Sequence, residues 1–409
     1  MIQGDCMTMR VLFYLPVVTP WWYAHILLPL IKKMAVIAEV HVLAPAFWQN
    51  TGLGEAQLVA SVDQDNVFWH IVDDPSHPTL RTYPDHPDEL IAFVRSIDPH
   101  YTICRSADFE SPSHFPGEVR FLMETGAPPM PGIQSMLILQ KNLLCHGEMQ
   151  PLTLSDRQVI DARFADAWAR CRHRFAHQAP FDQPRDQVLA NFGLDPNRRV
   201  IVLPLEYRHE ENFVSMHERR RDAVALLNDV ASRLGDDMTL AVTDHPLNYR
   251  FMDNTLVHQA IASLAPNVML VPNPDGDPHT TDLLVKNSDG IIVQTSKTVY
   301  SAAFFDKPIL RMTACKTAPW LNTYSDMDDF FDHLRSGTAI CSDEADLRTW
   351  YGLHVMHDIV ELDVSAEEVI DRIDRPFAVE RLAVGIERFE GFLREHFLPP
   401  VADPLRLAS

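Results

Sequence analysis

The sequence comprises 409 residues, of which 46% are hydrophobic and 22% charged, and its formal net charge is −21. This length predicts two domains, and the composition is that of an ordinary globular protein. The acidic surface repels nucleic acid, so we expect no nucleic-acid partner, and any phosphate-binding site must be local. The six cysteines show no CxxC spacing, which argues against a zinc site or a disulfide framework and is typical of a cytoplasmic protein.

The first half of the chain alternates predicted strands with predicted helices. The apolar run 11–15 predicts a buried strand, and a proline-rich loop separates it from a helix at 23–35. The segment 10–31 is apolar enough to suggest a signal peptide or a membrane span, but its prolines and central aromatic residues favour strand, loop and helix. Further strands are predicted at 39–43, 67–72, 101–104 and 119–123, and a further helix at 87–96.

The second half begins with a long amphipathic helix, predicted at 155–175 with Ser155 or Asp156 as its N-cap. The polar segment 176–199 contains prolines and is typical of an interdomain connection. A second alternating series follows, and the tail at 342–397 is predicted to be helical without strands. The strands of this series are predicted at 200–205, 238–242, 268–271, 291–293 and 309–312, and its helices at 218–234, 255–264 and 281–288.

Alternation of this kind predicts parallel sheets with crossover helices. We therefore expect an α/β protein with two doubly wound Rossmann-like domains that face a cleft, and a helical C-terminal tail. The expected boundaries are 1–185 for the N-terminal domain and 186–345 for the C-terminal domain. The tail, 346–409, is expected to pack back across both lobes.

Glycine motifs exclude several kinds of nucleotide chemistry. The only GxG, Gly52 to Gly54, follows no predicted strand and is not a dinucleotide fingerprint, which argues against an NAD or FAD enzyme. The chain contains no GxxxxGK[ST] motif for a P-loop and no GxSxG nucleophile elbow. We expect no cofactor.

A His-Pro pair, His245 and Pro246, follows the predicted strand 238–242. In an open α/β sheet, ligands bind beyond the carboxyl ends of strands. A histidine held by a proline that cannot continue the strand can direct its imidazole at a phosphate or a glycosyl leaving group. The alternative is a surface histidine in an ordinary turn, because His-Pro also occurs at 77–78 and 86–87.

A Thr-Ser-Lys-Thr run follows the predicted strand 291–293 and begins a helical pattern. Thr295, Ser296 and Thr298 offer hydroxyls, and Lys297 offers a cation. Together with the backbone N–H groups of a helix N-terminus, these groups suit a diphosphate or a nucleotide phosphate. The alternative is ordinary N-capping by Thr295 or Ser296.

Acidic residues also follow predicted strands. Glu124 follows the fifth strand of the first half and can act as a general base or bind a sugar hydroxyl. Glu206 begins a loop that is dense in titratable residues. For both, a solvated loop acid is the alternative. Asp275 and Asp277 have the spacing of a metal-chelating DxD motif, but the flanking prolines favour an acidic turn, and we predict no metal site.

Taken in order, these motifs resemble the donor-binding half of GT-B glycosyltransferases. More narrowly, they are similar to the capsule-polysaccharide-biosynthesis group that includes the retaining β-Kdo transferases. The similarity extends from Val200 to Met312, and Glu124-Thr125-Gly126 resembles a Glu-x-Gly on the acceptor side of the cleft. The matching segments of the second domain are Pro204-Leu205-Glu206, Asp244-His245-Pro246, Ser288-Asp289, Thr295-Ser296, Ala302-Ala303 and Asp306-Lys307-Pro308.

Four positions depart from the pattern of this group. Glu206 replaces a Gln, Asp244 replaces the Pro before the His, and Asp306 replaces a Gly. Ala302 stands where a Glu commonly helps to hold the sugar or ribose of the donor. The resemblance thus implies that the phosphate-binding half of the motif is kept and the sugar- or ribose-reading half is altered. A donor other than CMP-Kdo and a loss of catalysis both stay open.

The resemblance implies metal-independent transfer of a sugar from a nucleotide-activated donor to a polysaccharide or glycoconjugate. The domain at 1–185 would hold the glycan or lipid-linked acceptor, and the domain at 186–345 the nucleotide-sugar donor. A cytoplasmic location with a peripheral contact to the inner membrane fits this role. Glu124 and His245 are expected to be catalytic. The residues expected to bind substrate are Glu206, Pro246, Thr295, Ser296, Lys297, Thr298 and Lys307.

Three other functions stay open. A sugar-nucleotide epimerase of the same architecture would work without an acceptor. Transfer of a polyol phosphate from a CDP-linked donor, as in teichoic-acid polymerases, uses similar His-Pro and Ser-rich turns, but the charge of −21 disfavours the membrane-seeking surface of those enzymes. A non-catalytic nucleotide-binding or scaffold protein would keep the cleft without the chemistry.

Overall fold

The computed structural model describes residues 9–47, 51–61, 65–72, 86–124, 136–142, 146–209, 212–273 and 277–396. Its strands, in chain order, are β1 (Arg10–Tyr14), β2 (Glu39–Pro45), β3 (Val67–Val72), β4 (Tyr101–Cys104), β5 (Glu118–Glu124), β6 (Met136–Gln140), β7 (Arg199–Pro204), β8 (Met238–Thr243), β9 (Val268–Val271), β10 (Gly290–Val293), β11 (Ile309–Arg311) and β12 (Ile359–Glu361).

The α-helices, in chain order, are α1 (Pro20–Trp22), α2 (Leu28–Met34), α3 (Glu55–Val59), α4 (Pro87–Ile97), α5 (Leu154–His177), α6 (Arg185–Asn191), α7 (Ala223–Ala231), α8 (Pro246–Phe251), α9 (Thr255–Ser263), α10 (Pro278–Asn287), α11 (Thr298–Phe304), α12 (Met327–Ser336), α13 (Glu344–Leu353), α14 (Ala366–Asp374) and α15 (Val379–His396). Single 3-10 turns occupy Ser111–His114, Phe213–His217 and Pro319–Leu321, and π-helical turns occupy Tyr23–Leu27 and His354–Asp358.

The chain divides into two compact units, each made of several segments. The first unit comprises Met1–Thr125, Gln134–Leu143 and Asp358–Phe377, and the second comprises the rest. The expected boundary at residue 185 therefore falls inside the second unit, which includes α5, while part of the tail belongs to the first unit.

The first unit contains a seven-stranded sheet in the order β12-β6-β5-β4-β1-β2-β3. Strands β1 to β5 are parallel, and the order 3-2-1-4-5 is that of a Rossmann-like sheet. Strand β1 is central, so it is buried on both faces and reads as an unbroken apolar run. The expected doubly wound fold is confirmed for this unit.

The apolar segment that follows β1 forms a series of short helical segments. Thr19 caps α1 by accepting the N–H of Trp22 at 3.3 Å, and the helical path continues through the π-helical turn into α2. In the part of the chain that the structure describes, no helix is long and apolar enough to cross a membrane.

The tail contributes a strand and a helix to the first unit, so the expectation of a strand-free tail is wrong. Strand β12 pairs antiparallel with β6, with Ile359 opposite Ile138. Ala366 and Val369 of α14 are buried in the core of this unit. A strand of three residues carries too little periodicity to be recognised from its own sequence.

The second unit contains a five-stranded parallel sheet in the order β11-β10-β7-β8-β9. This is again the Rossmann order 3-2-1-4-5, so the second doubly wound unit is also confirmed. Helices α7, α9 and α12 pack against the sheet, and Leu227, Ile261 and Phe330 lie in the same buried core as Leu240. The predicted helical C-terminal region is also present, and α13 and α15 belong to it.

Two helix starts differ from those predicted. Thr153 rather than Ser155 or Asp156 caps α5, and Asp156 returns the bond by accepting the N–H of Thr153 at 2.8 Å. Helix α7 begins at Ala223 instead of at residue 218, because Asp222 accepts the N–H groups of the first turn.

Candidate functional site

The loops after β7, β8 and β10 lie at the carboxyl edge of the second sheet. The strand order reverses between β7 and β10, which are hydrogen-bonded neighbours. Open α/β sheets bind ligands in the crevice beyond such a reversal. The structure brings together at this edge seven of the predicted residues, which we call the switch-point site: Glu206, His245, Pro246, Thr295, Ser296, Lys297 and Thr298.

Glu206 occupies the backbone donors that the sequence assigned to a phosphate. Its Oε1 accepts the N–H of Thr295 at 2.8 Å and the N–H of Ser296 at 2.9 Å. Burial raises the pKa of Glu206, and the hydrogen bonds from residues 294–296 oppose that rise. The acceptor at this turn is therefore a side chain of the protein itself.

The hydroxyls of the turn are engaged locally. Ser296 Oγ lies 2.8 Å from Thr298 Oγ1 and accepts the N–H of Thr298 at 3.2 Å, where α11 begins. These contacts are those of a helix N-terminus satisfying its own donors. Lys297, between the two hydroxyl residues, is partly exposed. It is the cation of this turn.

His245 caps α8 through its ring. Nδ1 accepts the N–H of Leu247 at 3.2 Å, and Pro246 occupies the first helical position, where a backbone N–H is not needed. Burial lowers the pKa of His245, Asp244 opposes this shift and Arg208 adds to it. The imidazole is therefore neutral at neutral pH, and because Nδ1 accepts, its proton is on Nε2. His245 thus has an N–H available for a ligand.

Asp244, which the sequence marked only as a departure from the group pattern, holds the site together. Its carboxylate receives both Nη1 and Nη2 of Arg208, at 2.8 and 3.0 Å, and its side chain is only 1% exposed. Asn248 donates to Asp244 Oδ1 at 2.6 Å and to the carbonyl of Glu206 at 2.9 Å. Because Arg208 follows β7 and Asp244 follows β8, this network fixes two loops of the site to each other.

A second carboxylate lies beside Glu206. Gln294 exchanges two hydrogen bonds with the backbone of Arg220, both at 3.0 Å, and donates to Glu218 Oε2 at 3.3 Å. Burial raises the pKa of Glu218 to about 8, the charge of Glu206 adds to the rise, and Arg221 and Gln294 oppose it. Sequence reasoning missed this pair because Glu218 appeared to be an ordinary surface residue of a predicted helix.

The titration of Glu218 predicts a pH-dependent stability. The folded protein keeps this proton between the ordinary pKa of 4.5 and about 8, whereas the unfolded chain releases it. Stability therefore falls as the pH rises through this window. At pH 9 we expect the free energy of unfolding of Glu218→Gln to be about 1–2 kcal/mol higher than that of wild type, a value that allows for partial exposure. Near pH 4 we expect the two proteins to be equally stable. Urea denaturation at both pH values measures this. The exposed Glu387→Gln is the control, and equal pH profiles for all three proteins would contradict the assignment.

The structure does not bring Lys307 together with the switch-point site, and its expected role in donor binding stays a prediction. Lys307 precedes β11 and so lies at the amino edge of the sheet, whereas the site lies at the carboxyl edge. Burial lowers the pKa of Lys307, and the charge of Asp289, which precedes β10, opposes this shift.

Two departures from the group pattern have local explanations. Asp306 has a φ of +56°, in the left-handed region that favours the glycine expected there and that aspartate also tolerates. Ala302 is fully buried in α11, so a longer side chain at this position would have to displace the core.

Glu124, the residue of the first unit that is expected to act on the acceptor, is only partly described by the structure. Strand β5 ends at Glu124, but the side chain of Glu124 lies outside the described residues, as do Thr125 and Gly126. The role of Glu124 stays a prediction.

At the carboxyl edge of the first sheet, the described residues include a buried acid that the sequence did not single out. Asp108 follows β4 and is 2% exposed. Its Oδ1 accepts the N–H groups of Glu110 and Ser111, at 2.9 and 3.2 Å, and its Oδ2 has no hydrogen-bond partner in the described chain. Burial, and then the charge of Asp108, raise the pKa values of Tyr14 and Cys104.

No group of three or more potential metal-ligating side chains occurs within the described ranges. Asp275, one half of the DxD pattern, lies outside them. Asp277, the other half, caps α10 by accepting the N–H of His279 at 2.9 Å. The described half of this pattern therefore has a structural role.

Fold and site together define an α/β protein with two Rossmann-ordered sheets. In the second sheet, polar residues of three loops lie at the topological switch point.

Among solved structures, the chain is similar to the KpsC beta Kdo 2,7 transferase of Thermosulfurimonas dismutans, with 12% identity, a TM-score of 0.42 and coverage of 92% of this chain and 99% of that chain. It is also similar to the beta Kdo 2,4 transferase of KpsC from the same organism, with 11% identity, a TM-score of 0.37 and coverage of 69% and 83%.

A glycosyltransferase from Rickettsia africae matches with 8% identity, a TM-score of 0.33 and coverage of 95% of this chain and 99% of that chain. No protein-family model matches the sequence. No curated protein matches it.

Proposed function

We propose that the protein is a glycosyltransferase that uses a nucleotide-activated sugar donor and transfers the sugar to a polysaccharide or glycoconjugate acceptor without a metal ion. The observation that carries this proposal is the gathering of His245 and the Thr295–Thr298 turn at the strand-order reversal of a Rossmann-ordered sheet. Nucleotides bind at this position in such sheets. The reaction type rests on the resemblance of these motifs to those of GT-B enzymes.

Each residue has a definite task in this proposal. The Nε2–H of His245 donates to the leaving phosphate, and Lys297 adds a positive charge beside it. Such preorganised donors stabilise the charge that develops as the glycosidic bond breaks. Glu124 of the first unit accepts the proton of the attacking acceptor hydroxyl.

A non-catalytic nucleotide-binding or scaffold protein is the second candidate, and Glu206 favours it. In this structure the N–H groups of Thr295 and Ser296 are satisfied by the Glu206 carboxylate. A donor phosphate reaches them only if it displaces that side chain. Nucleotide binding without turnover would identify this second function.

A thermal-shift screen against CMP-, UDP-, GDP- and CDP-linked sugars tests the proposal. Ligands that bind only the native state raise Tm by mass action, by an amount that grows with ligand concentration. A shift with one nucleotide class and not the others supports the donor site. No shift with any of the four contradicts both nucleotide-dependent functions. A donor that is turned over without an acceptor would indicate an epimerase.

The variant His245→Asn separates catalysis from folding. Asparagine is a favoured N-cap, so we expect the stability of α8 to change by less than about 1 kcal/mol. Loss of the Nε2–H should lower donor turnover by about tenfold, as expected for one hydrogen bond to a charged group. Turnover and Tm of the same preparation measure both effects. A parallel loss of fold and activity would instead assign His245 a structural role only.

A further inference from the structure

A second candidate ligand site lies in the second unit, in a cavity of about 470 Å³. This volume is within the range of small-molecule pockets, roughly 300–1,000 Å³. We call it the α5–α11 cavity. Its walls consist of aromatic rings and basic side chains contributed by the last turns of α5, α10 and α11: Arg172, His173, Phe175, Ala176, His177, Lys286, Phe304 and Phe305.

The α5–α11 cavity is separate from the switch-point site. Helix α11 starts at Thr298, at the carboxyl edge of the sheet, and ends at Phe304 next to the cavity. Its seven residues span about 10 Å. Helix α10 likewise ends directly before β10 enters the sheet. The cavity therefore lies toward the amino edge, and it is independent of the proposed function.

Two cations in the cavity have no carboxylate within ion-pair distance in the described chain. Arg172 donates through Nη1 to the carbonyl of Phe304, and Lys286 donates through Nζ to the carbonyl of Phe181. Neither guanidinium nor ammonium is neutralised by these bonds. Many other arginines of the chain form ion pairs with carboxylates, whereas Arg172 and Lys286 bond to backbone carbonyls.

The helix ends at the cavity account for much of this arrangement. Helix C-termini carry a partial negative charge of about half an electron each, which attracts cations. Three helices, α5, α10 and α11, end at the cavity, so their ends together offset about one and a half positive charges. The charge of Asp182 also acts on Lys286. His173 and His177, whose rings lie 5.0 Å apart, belong to the same wall.

The remaining walls are apolar and close-packed. The Phe175 ring packs edge-on against the rings of Phe304 and Phe305, with centroids at 5.3 and 5.5 Å. The Arg172 guanidinium lies 5.0 Å from the centroid of the Phe304 ring. Helix-dipole neutralisation does not require aromatic walls of this kind. They provide an apolar surface next to the two cations.

We propose that the α5–α11 cavity binds an anion that carries a hydrocarbon or aromatic group, with Arg172 and Lys286 holding the charged head and the phenylalanines contacting the apolar part. A phosphate monoester of an alkyl chain has this chemistry. Both a soluble molecule and a lipid head group can supply it.

Isothermal titration of the full chain tests this with octyl phosphate below its micelle concentration, next to inorganic phosphate and octanol. We expect octyl phosphate to bind at least tenfold more tightly than inorganic phosphate or octanol. Phosphatidic acid vesicles form a further arm. Retention on vesicles together with weak binding of monomeric octyl phosphate would assign the cavity to a lipid head group, and the reverse to a soluble ligand. Binding of neither would overturn the proposal.

Two variants localise the binding. Arg172→Gln removes one cation, and Ala176→Trp fills the cavity from an exposed position without changing its charge. Both should weaken octyl phosphate binding at least tenfold. The control is Arg163→Gln, an exposed arginine of the same helix outside the cavity. Wild-type binding by Ala176→Trp, or an equal loss in Arg163→Gln, would show that octyl phosphate does not occupy the cavity.

Discussion

Replacing Asp244 with alanine is expected to lower the free energy of unfolding by about 3–5 kcal/mol. The carboxylate is buried and accepts both terminal nitrogens of Arg208, which is itself only 14% exposed. Its removal leaves a buried guanidinium without its charge partner, and that uncompensated charge dominates the cost. The N–H of His245 and the amide of Asn248 lose the same acceptor.

Urea denaturation followed by circular dichroism measures this effect. The control is Asp328→Ala, which breaks an ion pair with Arg233 in which the aspartate side chain is 70% exposed. Exposed pairs of this kind contribute about 0–1 kcal/mol. Equal losses of stability in the Asp244 and Asp328 variants would show that the Arg208–Asp244 contact does not hold the loops after β7 and β8 together.

Replacing Glu206 with alanine is expected to strengthen pyrophosphate binding by about tenfold to a hundredfold. The Glu206 carboxylate holds the N–H groups of Thr295 and Ser296, so an incoming phosphate has to displace it. Hydrogen bonds to a charged group contribute about 1.5–3 kcal/mol, which corresponds to roughly this factor in affinity. The carboxylate also repels the phosphate as long as it stays nearby.

Calorimetric titration with pyrophosphate measures the gain. Glu206→Gln should fall between wild type and alanine, because its amide oxygen can still accept the two N–H groups but carries no charge. Asp236→Asn is the matched control, since it removes one exposed negative charge before β8, at the other edge of the sheet. A loss of nucleotide binding in Glu206→Ala would instead give Glu206 the direct substrate contact that its sequence motif predicts.

The sequence was sufficient for those features that depend on local pattern. Apolar runs located the five parallel strands of each sheet, but not β6 or β12 of the first sheet. The rule that ligands bind beyond strand ends placed His245 and the Thr295–Thr298 turn at one edge of the second sheet, where the structure also has them. The same rule places Lys307 at the opposite edge, because it precedes its strand. The motif resemblance alone did not distinguish the amino edge of the sheet from its carboxyl edge.

Contacts between distant segments could not be predicted. Glu206 reaches a turn 89 residues later, and Arg208 reaches Asp244 across 36 residues. Nothing in the local sequence of Glu206 indicates which backbone donors it will meet. The departures at Glu206 and Asp244 were visible as unusual residues, but their meaning depends on partners that only the folded chain identifies.

The pairing of β12 with β6 has a consequence for synthesis. Residues 358–377 supply an edge strand and a core helix to a unit whose other strands all lie before residue 143. A ribosome therefore has to translate the whole sheet of the second unit before the first unit can be completed. Until then the edge of β6 is unpaired, and unpaired strand edges are sites of aggregation. Fragments that end near residue 345 should share this liability, so the first unit is not a module that can be cut out of the chain as one continuous piece.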